Sequence, residues 1–373
     1  MRTAVLLIAL AVLASAAFTY RARREMVDFD VYRVAGARAI AGEPLYRDAD
    51  EHYRFKYFPA SAFVFAPFAL LPSLHAKALW FGLSVACLVL LLVVSIRHLP
   101  RRIVPPPLLA AAAVVTLAKF YARELNLGQA NLLFGVLAVE GIALLQRRSD
   151  TAGGVFFGAS VLIKPYGLVF LPYLLATRRL RAAGACAVVI GAALIAPALQ
   201  YGIDGNLALL SAWWSTTLGS TPSNLLNPDN VSYAAMYARW MDPGPVASMF
   251  AAATGLLVIA ICGAAIALRR MRDLPEYLEV ALLLTAIVFL SPQGWDYVLL
   301  LSTPAVVLLV NALPRLPRLL QLAGVICFAM TGLTVYDVMG RSAYAAFMQA
   351  SGLTLAYGVL MAMLLFVRAK NLG

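Results

Sequence analysis

The chain has 373 residues, of which 62% are hydrophobic and only 13% charged. A soluble domain carries about 25% charge, so the composition excludes one and describes an integral membrane protein. The formal net charge of +12 comes almost entirely from arginine, and such charge sets topology at helix ends or binds anions on an outer face.

The apolar runs are rich in Leu, Ala and Val and lack the period-two alternation of a membrane barrel strand, so helices are predicted. The spans fall near 3–20, 76–97, 105–122, 128–146, 153–164, 166–177, 183–200, 246–268, 276–291, 294–311, 318–336 and 352–367, which makes twelve crossings. The first resembles a signal peptide at Ala14-Ser15-Ala16, but Arg21, Arg23 and Arg24 close behind it favour a retained anchor. Fifteen of the next thirty-six residues, Arg21 to Lys56, are charged, whereas the other 337 residues share thirty-three charges. That segment cannot sit in hydrocarbon and is read as a structured loop. Residues 57–72 are apolar but only sixteen long with three prolines, and are read as an interfacial or re-entrant segment. Residues 153–177 must go out and back between two arginine clusters, as two short helices meeting at Lys164-Pro165. Short broken helices at membrane depth are tolerated where they line a cavity.

Placing Arg97/Arg101/Arg102, Arg147/Arg148, Arg178/Arg179/Arg181, Arg269/Arg270/Arg272, Arg315/Arg318 and Arg368/Lys370 in the cytoplasm gives one consistent path. Both termini are then inside, and 21–75 and 201–245 are outer loops of a single membrane domain, 1–373. Cys87, Cys186, Cys262 and Cys327 all lie in apolar runs and read as small core residues, without disulfide or metal spacing. His52, His75 and His98 are scattered, and no metal site is expected.

On this path Asp28, Asp30, Lys56, Arg123, Glu124, Gln129, Asn131, Lys164, Asn230, Trp295 and Asp296 share the outer face. Ionisable groups at membrane depth are functional candidates because something must offset their desolvation. Each also has a plainer reading. Asp28 precedes a helix-like run, Val31 to Ile40, and suits an N-cap as well as a base. Asp30 points elsewhere on a helix, so the two are not a close dyad. Arg33 and Arg38 suit headgroup contacts. Gly128-Gln129-x-Asn131 suits a helix start with polar packing or a substrate contact. Trp295, Trp213, Trp214 and Trp240 suit an interfacial belt, with sugar stacking as the other reading. Lys164, alone between two apolar helices, favours function.

The ordered set Asp28-x-x-Val31-Tyr32, Gly42-x-x-Leu45-Tyr46, Tyr57-x-Pro59, Pro67 and Pro72 before Leu79-Trp80, Gly128-Gln129-x-Asn131, Gly158 to Lys164-Pro165, and Ser291-Pro292-x-x-Trp295-Asp296 resembles glycosyltransferase family 87. That is a polytopic GT-C-type family that includes the mycobacterial phosphatidylinositol-mannoside mannosyltransferases. The resemblance implies an all-α polytopic membrane protein of about twelve transmembrane helices, with interfacial helices in its extracytoplasmic first loop. It implies an inverting hexosyltransferase that moves a sugar, usually mannose, from a polyprenyl-phosphate donor to a lipid or glycan acceptor. The expected setting is a bacterial plasma membrane, with membrane lipids as surroundings and the active site facing the outside or periplasm. Asp28 matches the expected general base. Tyr32, Lys56, Tyr57, Arg123, Gln129, Asn131, Lys164, Trp295, Asp296 and Tyr297 are the expected substrate contacts. Relatives often carry a histidine shortly after the motif tryptophan; here Tyr297 and Val298 follow Asp296, so Tyr297, Lys164 or an arginine has to take its phosphate contact. No nucleotide-binding loop, cofactor, metal or nucleic-acid partner is implied. The rival readings are a transporter or flippase for a lipid-linked sugar or anionic substrate, and an assembly subunit that kept the fold without the activity.

Overall fold

A computed structural model describes residues 15–271 and 275–372. The predicted first span falls mostly before Ser15, and Ala14 of the cleavage-like site and Arg272 also lie outside the described residues. Among the described residues every regular element is helical, and extended pairing is limited to one bridge between Asn230 and Trp295. Helices are the expected outcome in lipid, because they satisfy their own backbone groups.

Four described helices are long and apolar enough to cross a bilayer: Ser73–Arg97, Pro245–Ala267, the Asp296–Arg315 run and Gly352–Ala369. The number rises to six when each of two bent pairs counts as one span, Pro106–Leu127 with Asn131–Gln146 and Leu180–Ile195 with Ala198–Asn224. Other predicted crossings are shorter apolar helices, among them Asp150–Ile163, Pro165–Ala176 and Arg318–Leu333. The predicted 294–311 span begins as a 3-10 turn, Asp296–Ser302, before the α-helix Thr303–Ala312, since Pro304 lacks a donor and restricts the residue before it. The segment 201–245 is largely helical, with most of Ala198–Gly219 and all of Tyr233–Met241 in it. The first is kinked at Gly202, and its Trp213 packs on Phe58 at 4.4 Å between ring centroids.

The charged loop is built on the helix Val27–Ala41. Phe29, Tyr32, Ala35, Gly36 and Ala39 recur at helical spacing and are its buried face. Asp28 and Asp30 in the first turn and Arg38 in the last complement the helix dipole, and Gly42 ends it in the left-handed conformation. Trp80 anchors this helix to the bundle. It stacks on Phe29 at 5.5 Å, meets Phe65 and Phe68 edge-on, and donates its indole N–H to the Gly128 carbonyl at 2.8 Å. Most loop charges pair with one another or with the helix beneath. Arg38 grips Asp50 with two bonds, Arg47 meets Glu43, Arg54 meets Asp48, and Lys77 holds Asp30 at 2.7 Å.

The arginine clusters converge. Arg179 pairs with Asp150 and Glu276, Arg269 with Glu276 and Glu279, and Arg368 with Glu279. Asn311 joins the backbone of Arg101, Ile103 and Val104 to the helix before Arg315. Gln129 and Lys164 sit at the far ends of the helices that carry Arg147 and Asp150, roughly 20 Å away by helix length. One end of the bundle therefore gathers arginine and the other gathers the candidate site.

Candidate active site

Two chain reversals build the site. At the first, Pro106–Leu127 ends in Gly128 with φ +69°, and the next helix starts at Asn131, bent back by 119°. A Cβ at Gly128 would lie 2.7 Å from the Phe29 Cβ, so the position needs glycine for conformation and for space. At the second, the helix Asp150–Ile163 stops, Lys164 is extended, and a 3-10 turn, Pro165–Val169, leads into Phe170–Ala176. Gly167 lies so close to Ser160 that a Cβ would meet its hydroxyl at 2.7 Å, which keeps the reversal tight.

The two reversals and the charged loop face one cavity of about 710 Å³, a volume within the usual range for ligand sites. Asp28, Tyr32, Lys56, Tyr57, Arg123, Gln129, Lys164, Trp295 and Tyr297 line it. Asn131 and Asp296, also expected as substrate contacts, do not: both are fully buried behind the wall. Asn131 donates to the Glu124 carboxylate at 2.7 Å and accepts from Tyr166. Asp296 is gripped by Arg123 at 2.6 Å and Lys119 at 2.7 Å.

Gln129 is the hub. Its amide oxygen accepts from Tyr32 at 2.8 Å and Lys164 at 2.7 Å. Its amide nitrogen donates to Asp28 at 2.8 Å and to the Tyr297 hydroxyl at 3.2 Å. Lys164 also donates to Tyr57 at 2.6 Å and lies over its ring, while Tyr32 and Tyr57 share a bond of 2.8 Å. Burial raises the Tyr32 pKa well above the ordinary phenol value, so its hydroxyl keeps its proton. Asp28 sits in the first helical turn, where Met26 holds the N-cap position, and its carboxylate serves the Gln129 amide. Asp30 faces Lys77 and lies outside the cavity.

The four cations of the cavity are differently engaged, and Arg54 pairs with Asp48. Arg123 is held between Asp296 and Asp229, and Lys164 is spent on two neutral groups. Lys56 makes no ion pair or side-chain hydrogen bond among the described residues; burial lowers its pKa, which the nearby Asp28 partly offsets. Sequence reasoning missed Asp229, Asn227, Arg54 and Tyr166, which also line the cavity, and left Trp213 between the interfacial belt and sugar stacking. Asp229 and Asn227 lie in an ordinary polar turn. That turn reaches the site because Asp296 N–H bonds the Asp229 carbonyl and Val231 N–H the Gly294 carbonyl.

A cavity with two carboxylates, four cations and stacked aromatic walls suits a sugar and an anionic group together. The model of glycosyltransferase family 87 matches residues 55–292, well over half of the chain. The chain belongs to glycosyltransferase family 87. Among curated proteins no match was found. A member of this family brings together a sugar donor and an acceptor, so the cavity has two substrates to accommodate. The family match includes Lys56, Tyr57, Arg123, Gln129 and Lys164 but begins after Asp28 and ends before Trp295. Asp28 joins the matched segment through Gln129, and Tyr297 does so through the same amide.

Proposed function

We propose that the protein is an inverting hexosyltransferase that moves a sugar, mannose in the first instance, from a polyprenyl-phosphate donor to a lipid or glycan acceptor. The proposed setting is the plasma membrane of a bacterium, crossed about twelve times, with the cavity open to the extracytoplasmic side. The observation that carries the reading is one cavity in which Asp28 shares Gln129 with Lys164 while Lys56 and Arg123 line the same walls. The arginine-rich end of the bundle supports the orientation, because positive loops stay in the cytoplasm.

In the proposed reaction the acceptor oxygen forms a bond to the anomeric carbon as the bond from that carbon to the phosphate oxygen breaks. The acceptor proton passes to Asp28, and the electron pair leaves with the phosphate. Attack opposite the leaving group inverts the anomeric centre, as in an inverting glycosidase with an alcohol in place of water. Charge gathers on the leaving phosphate, and cations already in place stabilise it without reorganisation. Lys56 is the first choice for that contact, since its ammonium makes no ion pair or side-chain hydrogen bond among the described residues, and Lys164 is the second. Arg123, neutralised by two carboxylates, shapes the wall. Asn131 and Asp296 act one layer out, holding the hairpin and Arg123.

The deciding experiment is transfer from a polyprenyl-phosphate sugar by Asp28→Asn, with protein abundance monitored. A drop of about 10²–10⁴-fold at unchanged abundance is expected for a lost general base. Near-normal transfer would remove Asp28 from that role.

A further inference from the structure

Behind Arg123 lies a group of polar side chains that the proposed reaction does not use. The Asp296 N–H bonds the Asp229 carbonyl and sets these two acidic residues side by side. Arg123 bridges their carboxylates, Nη1 to Asp296 at 2.6 Å and Nη2 to Asp229 at 2.9 Å. The second oxygen of Asp296 lies 2.7 Å from the Lys119 ammonium, which donates to the Tyr344 hydroxyl at 2.8 Å. That hydroxyl donates in turn to the second oxygen of Asp229 at 3.4 Å. The circuit Arg123–Asp296–Lys119–Tyr344–Asp229 is thus closed, and its two cations balance its two anions. Asp296 and Tyr344 are buried, the Lys119 side chain is only 10% exposed, and none of the three lines the cavity. Tyr344 comes from Arg341–Gln349, a short helix that buries only this residue and Met348. It lies well beyond the end of the family match at residue 292.

The circuit reaches the reaction through Arg123, whose guanidinium lies over the Tyr297 ring at 5.6 Å. Gln129 divides its amide nitrogen between the Tyr297 hydroxyl at 3.2 Å and Asp28 at 2.8 Å. A turn of Arg123 therefore moves Tyr297, and with it the amide that orients Asp28. We propose that Lys119 and Tyr344 are positioning residues that lock Arg123 over Tyr297 and so keep Gln129 directed at Asp28. The proposal rests on Asp28 as the base. Buried ion pairs add little net stability, because desolvation offsets their attraction. What this circuit supplies is direction. A lysine can only donate and an ionised carboxylate only accept, so the phenol between them accepts from one and donates to the other in a fixed order. Removing that phenol oxygen leaves every charge in place but opens the circuit.

The test is the initial rate of sugar transfer from radiolabelled polyprenyl-phosphate mannose to lipid, in membrane vesicles holding the full chain at matched abundance. Tyr344→Phe should lower kcat about tenfold, the scale of one hydrogen bond carried into the barrier, and leave the donor KM unchanged. Lys119→Met should lower kcat likewise, and Lys119→Arg, which keeps the charge and the reach, should recover most of it. Tyr336→Phe is the control: its ring packs on Tyr344 at 4.0 Å, but its hydroxyl bonds nothing among the described residues. It should transfer like the unsubstituted protein. A Tyr344→Phe kcat equal to that of Tyr336→Phe, or a loss seen equally in Lys119→Arg, would overturn the proposal. Should Asp28→Asn keep full transfer, the assignment of the base fails by itself. Amide exchange at 227–231 and 294–298, measured on the full chain in nanodiscs without substrate, still judges the circuit. It should be faster in Tyr344→Phe than in Tyr336→Phe, and equal rates would overturn the positioning role.

Discussion

Lys56 and Lys164 differ in what they can give to an anion, although in the sequence both are isolated lysines beside apolar runs. Lys164 must release Tyr57 or Gln129 to bind phosphate, whereas Lys56 releases neither. Lys56→Met should therefore raise the donor KM about tenfold or more, a charge-assisted bond being worth about 1.5–3 kcal/mol. Lys164→Ala should weaken donor use more than acceptor use and also slow turnover, because Gln129 then loses the partner that orients it toward Asp28. An acceptor-selective defect in either variant would displace that lysine from the phosphate. Burial lowers the Lys56 pKa, so its positive charge is lost on the alkaline side earlier than for an ordinary lysine. Donor affinity measured against pH should fall in that alkaline range, and Lys56→Arg should abolish the fall. Asp28 was legible in sequence as a candidate but tied with an N-cap; Met26 at the cap and Gln129 on the carboxylate separate the two.

At the scale of elements, two devices hold the charged loop over the cavity. The first is Gly128, where a left-handed turn meets the base of Phe29. Gly128→Ala should cost about 2 kcal/mol or more, a sum of backbone strain and a clash with a side chain that Trp80 stacking holds in place. Thermal unfolding in detergent checks it, and a change in Tm of under a degree would show that the loop relaxes freely. The second is the Arg38–Asp50 pair, both partners mostly shielded from solvent. The Arg38 hydrogen bonds hold the Asp50 carboxyl below its usual value of 3.8, against the opposing pull of burial. A depressed carboxylate stabilises the fold above its unfolded pKa, and that stability is lost as pH falls below about 4 and through the folded value. Asp50→Asn should lower stability at neutral pH by about 2 kcal/mol and flatten the acid limb of a stability–pH curve. An acid limb identical to that of the unsubstituted protein would assign the acid sensitivity elsewhere.

For the whole molecule, the gathering of arginines at one end and the cavity at the other supports the proposed orientation. A membrane-impermeant thiol reagent should reach Asp48→Cys from outside intact cells, since Asp48 is almost fully exposed on the loop. It should reach Arg101→Cys only after the cells are opened, and the reverse pattern would invert the topology. The four native cysteines are buried and give little background. The length of the helices also explains why crossings are hard to count from sequence. Hydropathy marks each apolar run, but a run of fourteen residues such as Asp150–Ile163 is legible only as apolar. Whether it spans, or folds back at a reversal, depends on its neighbours.

Composition and charge placement alone determined that this is a helical membrane protein with a charged loop after its first apolar segment, and that its polar residues collect at one end. Those properties follow from transfer energies, which act residue by residue. Proline marked the reversal at Lys164 for the same local reason. Tertiary structure decided which polar groups face the cavity. Asn131 and Asp296 turn into the wall because Glu124, Arg123 and Lys119 lie behind it, and Asp229 enters because a distant turn pairs with the Trp295 segment. Hydrogen bonds and ion pairs between segments from tens to well over a hundred residues apart have no trace in local pattern, and most of the site is made of them.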